Sequence, residues 1–234
     1  LLLAAVAASA CGADDPDGGP DADVDPGGDG GGDPDAGPAP DANEAAPGDP
    51  LGSFQLTYYW IAYEGDHPDG APTPLYDSSC AVLATVPADF AAAIRLEGTG
   101  RLLDGRLLNV SGSCGCPASP CFLEADEDHP WGYGVQNRAL APFRSVAVDR
   151  DVIEYGTGLY LAELDGVMMP GEAPWGAFVH DGCVVAADTG GGIIGEHVDF
   201  FVGLRQAYRD LDDALGLADI TVHAGGARCL DQAP

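Results

Sequence analysis

AADTGGGIIGEHVDFFVG, Ala186 to Gly203, is the stretch that decides how this chain is read. Asp188 opens a glycine-rich turn, and Asp199 follows eleven residues later between Val198 and the pair Phe200-Phe201. The apolar flanks predict a buried strand. A carboxylate among such neighbours is costly to ionise, so its pKa is expected to rise. A raised pKa is what a general acid needs to protonate a glycosidic oxygen near neutral pH. Upstream, RSVAVDRDVIEYGTGLYL (Arg144 to Leu161) sets a third acid, Asp149, ahead of a Gly156-Thr157 turn.

Working outward, the apolar or alternating segments are short: Phe54 to Ala62, Ala81 to Val86, Arg106 to Val110, Ser145 to Val148, Gly158 to Leu164, Ala177 to Ala187, Asp199 to Val202 and Ile220 to His223. They are rich in β-branched or aromatic residues and are separated by Gly, Pro and Asp turns, the pattern of a small barrel or sandwich. Two stretches read as helices. Pro87 to Ile94 is Ala-rich, and Leu204 to Leu215 places Leu204, Tyr208, Leu211 and Leu215 at helical spacing.

Three elements, AVD with a following GT, then DTGG with Gly195, then VDFF, together resemble the bacterial 3D domain, named for three aspartates. They are also similar to the catalytic barrel of the membrane-bound lytic transglycosylase A family. The resemblance implies a mainly β fold, a six-stranded double-psi β-barrel with one or two short helices. It covers Arg144 to Val202 well, and the strand LTYYW and Gly98 to Val110 more loosely. Asp199 falls on the family's catalytic aspartate, while Asp188 and Asp149 fall on its supporting acidic positions. Thr189, Gly190, Gly191, Gly156, Thr157 and Tyr59 are the expected substrate contacts. Arg150 and Glu154 stand where the family often has proline, and Ile194 where it often has a basic residue. Those transglycosylases carry a second domain that makes a long cleft, for which this chain leaves little room.

The implied activity is non-hydrolytic cleavage of the β-1,4 bond between N-acetylmuramic acid and N-acetylglucosamine, giving a 1,6-anhydro product. The partner is then the peptidoglycan glycan strand, met by a monomer that needs no cofactor and no metal. The alternative is a noncatalytic wall-binding or expansin-like wall-loosening module on the same barrel. Simpler roles compete at several positions. Asp149 and Asp188 both precede turns, where Asp caps backbone NH groups. Arg144 or Arg205 is a candidate ion-pair partner for Asp199, and Glu64 and Asp66 are candidate second acids. Tyr58-Tyr59-Trp60 reads either as a sugar-stacking face or as strand core, and Trp131 and Trp175 sit in loops.

The N-terminal part reads differently. Residues 1 to 10, LLLAAVAASA, form an apolar run ending in small residues, and Cys11 follows. Ten helical residues reach about 15 Å of a hydrocarbon core roughly 30 Å thick, so this run does not span a membrane. It resembles the tail of a signal peptide with a lipobox-like Cys11, the expected site of lipidation, which would anchor an exported protein at the periplasmic face or outer membrane of a bacterium. Residues 12–50 hold 11 Asp, one Glu, 10 Gly and 8 Pro, with no basic or aromatic residue, and are expected to be a disordered linker.

The whole chain has 234 residues, with 38 Asp and Glu against 9 basic residues and a net charge of −29. Residues 51–234, expected to be the barrel domain, retain 26 acidic and 9 basic residues, a charge of −17. A nucleic-acid binder displaces counterions with a positive patch, so nucleic acid is excluded as a partner. Cys80, Cys114, Cys116, Cys121, Cys183 and Cys229 make an even set, expected to form up to three disulfides in an oxidising compartment. The simplest pairings join Cys114 or Cys116 to Cys121, and Cys183 to Cys229. Their spacing does not match a paired zinc knuckle.

Overall fold

The computed structural model describes residues 45–232. The apolar leader, Cys11 and nearly all of the acidic linker lie outside the described residues. Six strands close a barrel: β1 (Pro50–Trp60), β8 (Ser145–Val148), β9 (Gly158–Leu161), β10 (Cys183–Asp188), β11 (His197–Gly203) and β12 (Asp219–Ala224). Their order around the barrel is β1-β11-β8-β10-β9-β12. The β1–β11 and β8–β10 pairs are parallel and the other four antiparallel. The expected six-stranded double-psi barrel is therefore present.

Side chains alternate across a strand, and here both sets are used. Phe54, Leu56, Val146, Val148, Val184, Ala186, Val198, Phe200, Ile220 and Val222 fill the barrel. Tyr59, Ile61, Ala147, Val185, Ala187 and Phe201 point outward yet are also buried, forming a second apolar layer with Leu107 and Leu140. Burial on both faces explains why SVAV and CVVAA read as unbroken apolar runs. Helix α2 (Arg205–Leu215) closes one side of the barrel with Ala207 and Leu211 buried. Its Tyr208 stacks on Trp60 at 5.0 Å, so Tyr58 and Trp60 belong to the core rather than to a sugar-stacking face. Leu204 precedes the helix and is exposed.

The cover over the outer layer comes from a segment between β1 and β8 that sequence reading underestimated. β2 (Ala62–Tyr63), β5 (Thr99–Arg101), β6 (Leu107–Gly112) and β7 (Cys121–Glu124) form a four-stranded sheet, beside a hairpin of β3 (Pro72–Tyr76) and β4 (Val82–Pro87). Helix α1 (Ala88–Glu97) packs Phe90, Ala91 and Ile94 into a separate core with Leu75, Val86, Leu102, Leu108 and Phe122. A β-carbon on Gly100 would come within 2.9 Å of Ile94 and Phe90, so the helix lies directly on β5. The segment thus adds a small sheet with its own core to one compact unit.

The expected strand Ala177 to Ala187 begins only at Cys183. Ahead of it, His180 is buried, accepts from Gly182 N–H at Nδ1 and meets the Phe143 carbonyl at 2.6 Å through Nε2. Burial pushes its pKa down to about 4. Asp181 pairs with Arg144, which removes Arg144 as a partner for Asp199. Among the described residues no helix is long and apolar enough to cross a membrane.

Three disulfides, Cys80–Cys116, Cys114–Cys121 and Cys183–Cys229, use all six domain cysteines. Cys183–Cys229 closes a loop with a sequence separation of 46 and ties β10 to the C-terminal turn. Chain-entropy arguments assign such a closure about 2–4 kcal/mol. Replacing both by serine is expected to lower the unfolding free energy by that amount in urea titration, with little change in the far-ultraviolet spectrum.

Candidate active site

The site lies on the outer face of the barrel, where β1, β11, β8 and β10 run side by side. Ala147 on β8 stands opposite Asp199 on β11 and opposite Asp188 on β10. Thr57 on β1 stands opposite Asp199. One row, Thr57–Asp199–Ala147–Asp188, therefore crosses four strands. At about 4.8 Å per strand spacing, the backbones of the two acids are about 10 Å apart with a small alanine between them.

Asp188 reaches this row because of an irregularity in β10. Val185 and Ala186 pair in step with Ser145 and Val146, but the register then shifts, and Asp188 rather than Ala187 meets Ala147. Simple alternation from inward-facing Ala186 would have sent Asp188 into the barrel. A bulge of this kind turns a side chain to the other face. Gly156 and Thr157 flank it by exchanging backbone hydrogen bonds with Ala186, at 2.8 and 3.0 Å. They support the strand and do not line the groove.

The groove has a volume of about 380 Å³. Tyr59, Ala147, Asp188, Asp199 and the turn residues Thr189, Gly190 and Gly191 form the barrel wall. Arg95 to Thr99, with Asn109 and Val110, form the facing wall, and Tyr133 to Val135 close one side. That side is pinned by buried Asn109, which accepts from Thr99 Oγ1 at 2.7 Å and from Tyr133 N–H at 2.9 Å.

Burial raises the Asp199 pKa, opposed by a hydrogen bond from Thr57 Oγ1 at 2.7 Å and by His197. Asp188 is pushed up to about 6, first by burial, with repulsion from Asp199 adding to it. It accepts from Thr189 N–H at 2.8 Å and from the Tyr59 hydroxyl at 3.1 Å, which oppose the rise. Glu97, at the C-terminus of α1, is a third acid in the groove that sequence reading missed. Burial pushes it up to about 7, despite a long contact from Trp60 N–H, and Asp199 repels it further. Its polar context in RLEGTG gave no sign of burial, because its neighbours in space come from β1 and β11.

Asp149 is placed differently. Its Oδ2 accepts from Gly195 N–H at 2.7 Å and its Oδ1 from Asp151 N–H at 2.9 Å, which hold its pKa below the usual carboxylate range. It does not line the groove. It clamps the loop that leaves Asp188 and returns to β11, the turn-capping role. Glu64 likewise accepts from Leu103 N–H at 2.8 Å, away from the groove.

The order of these elements, acid-bearing loop, glycine turn and buried acid on one barrel face, can be compared with known proteins. Residues 144–212 match the family model of the 3D domain. The matched stretch runs from β8 into α2 and contains Asp149, Asp188 and Asp199. Among solved structures, Escherichia coli MltA with bound chitohexaose is similar at 15% identity and a TM-score of 0.46, over 74% of this chain and 72% of that one. A membrane-bound lytic murein transglycosylase from Agrobacterium tumefaciens is similar at 13% identity and 0.43, over 74% of each chain. The lytic transglycosylase LtgG of Burkholderia pseudomallei is similar at 18% and 0.39, over 73% of this chain and 70% of that one. No curated protein sequence matches.

The raised acids fix the sign of a pH effect. Folded Asp188 and Glu97 titrate at about 6 and about 7, against ordinary values of 3.8 and 4.5. Between those limits the folded chain holds protons that the unfolded chain releases, so their contribution is complete at low pH and is lost as pH rises through 6 to 7. Each contributes at most about 3 kcal/mol. Buried His180, pushed down to about 4, opposes this, because the unfolded ring releases its proton as pH rises through 6.5. The two acids together outweigh it, so stability is expected to fall from pH 5 to pH 8 in denaturant titrations, and Asp188→Asn with Glu97→Gln is expected to turn that fall into a rise.

Proposed function

We propose that the chain is a peptidoglycan lytic transglycosylase with Asp199 as its single acid and base. The observation that carries this reading is the pair of half-buried carboxyls, Asp188 and Asp199, flanking Ala147 in one groove within the stretch that matches the 3D domain. Asp199, its pKa raised by burial, gives its proton to the oxygen between N-acetylmuramic acid and N-acetylglucosamine. The sugar passes through an oxocarbenium-like state. The new carboxylate then takes the proton of the muramyl C6 hydroxyl as that oxygen attacks C1, closing a 1,6-anhydro ring. One carboxyl suffices because the nucleophile belongs to the substrate, unlike the paired carboxyls of most glycosidases. Tyr59 holds Asp188 in place beside it, and the charge of an ionised Asp199 raises the Asp188 pKa.

The glycine turn Thr189 to Gly191 offers backbone groups to a sugar along the barrel wall, and the facing wall offers Glu97 and Arg95. The apolar leader and acidic linker support an exported, lipid-anchored protein, with Cys11 as the modified residue. Labelled palmitate is expected to incorporate into the full precursor and not into Cys11→Ser.

Purified sacculi give the direct test. Asp199→Asn is expected to lower release of soluble anhydromuropeptides by about 100- to 10,000-fold with the fold intact. Asp149→Ala, which removes only the loop clamp, is expected to lose far less. For the native chain the rate should fall as pH rises through the Asp199 pKa, because the acid must carry its proton. Unchanged release by Asp199→Asn would end the proposal. Native chain that pellets with sacculi and releases nothing would assign the barrel to wall binding instead.

A further inference from the structure

Beside the groove, two short hydrogen bonds join three side chains of the barrel's outer face. Thr57 Oγ1 lies 2.7 Å from Asp199 Oδ1 and 2.8 Å from His197 Nε2. The sheet imposes this placement. Thr57 pairs with Asp199 across parallel β1 and β11, and His197 precedes Asp199 by two residues, on the same face.

A threonine hydroxyl has one proton to give and two acceptor sites. It cannot donate to both neighbours, so whenever it donates to one, the other contact must run into it. In one direction His197 donates from Nε2 to Thr57, and Thr57 donates to Oδ1. In the other, Oδ1 carries the acid's own proton and spends it on Thr57, which donates to an unprotonated Nε2. The second arrangement leaves no proton to give to a ligand in the groove.

We infer that His197 is a positioning residue for Asp199: donating from Nε2, it orients the Thr57 hydroxyl, reserves Oδ1 as an acceptor and leaves the acid proton to Oδ2. This rests on the reading of Asp199 as the acid, since only a proton donor gains from having its proton directed. His197 acts through Thr57 and touches no substrate. The groups that face Asp199 are Thr57 and Tyr59 on β1, Asp188 on β10 and Glu97 on α1, with Arg205 beyond Glu97. His197 faces Gln55 across the strand pair. Among the described residues, Thr57 is the side chain that donates to Asp199.

The test is a carbon-detected titration of the Asp199 carboxyl in the full chain, its signal assigned by loss in Asp199→Asn. In His197→Ala the Thr57 hydroxyl loses its orienting donor, the ionised carboxylate loses support, and the midpoint is expected to rise by about one pH unit. His197→Gln keeps an N–H donor without a titrating ring and is expected to titrate as the native chain does. On sacculi, the Ala variant should release product about tenfold more slowly at its optimum, with the alkaline limb moved to higher pH, and the Gln variant should recover the native rate. An Ala variant that titrates like the native chain would overturn the inference. So would a Gln variant that shifts as far as Ala, since ring charge and not the donated bond would then be the cause. Loss of function in the transglycosylase reading alone would show as full activity of Asp199→Asn, with the titration result unaffected.

Discussion

The register shift between Ala186 and Asp188 is the constraint on which the site depends. Strand β10 must keep Val184 and Ala186 inside the barrel, yet Asp188 must stand outside, opposite Ala147. Simple alternation cannot satisfy both. One extra residue, Ala187, does so at the cost of a local break in the ladder, and bulges are over-represented next to active sites. Backbone bonds from Gly156 and Thr157 to Ala186 hold the strand just before the break, and the Asp149 clamp on Gly195 holds the loop just after it. Of the three acids in the motif, Asp149 clamps the loop, while Asp188 and Asp199 line the groove.

The second requirement is exclusion of water. A barrel wall open to solvent would leave Asp188 and Asp199 with ordinary carboxylate behaviour. The small sheet and α1 lie over that wall, burying Tyr59, Ile61 and Phe201 and bringing Glu97 close enough to be repelled by Asp199. Two of the three disulfides, Cys80–Cys116 and Cys114–Cys121, sit within this covering segment, where the core is small. Desolvation, repulsion among acids and oriented donors from Thr57, Tyr59 and Thr189 then act together on the protonation of one groove.

Much of this was legible from residues 144–203 because their chemistry is local. The apolar flanks of Asp199 announced a buried acid, and short apolar runs located all six barrel strands and both helices. Leu204 was assigned to the apolar face of α2 but lies outside it, whereas Ala207, too small to weigh in a periodicity count, is buried there. The covering segment was only partly legible: apolar runs located β4 and β6, but β3 begins PTP, β5 is only TGR, and neither carries the period of a strand. Glu97 was not legible at all, since its burial is created by residues about forty and a hundred positions away in sequence. The face of Asp188 depended on a register shift, which no side-chain pattern in AADTGG encodes.

A structure of the Asp199→Asn variant with a peptidoglycan glycan fragment bound would test the central claim most directly. With Asp199 as the acid, the fragment lies between the Thr189 to Gly191 turn and the Glu97 wall. A glycosidic oxygen then comes within hydrogen-bonding distance of the side chain at position 199. A fragment seated elsewhere, such as over the apolar hollow beside Trp131 and Trp175, with the groove empty, would contradict it.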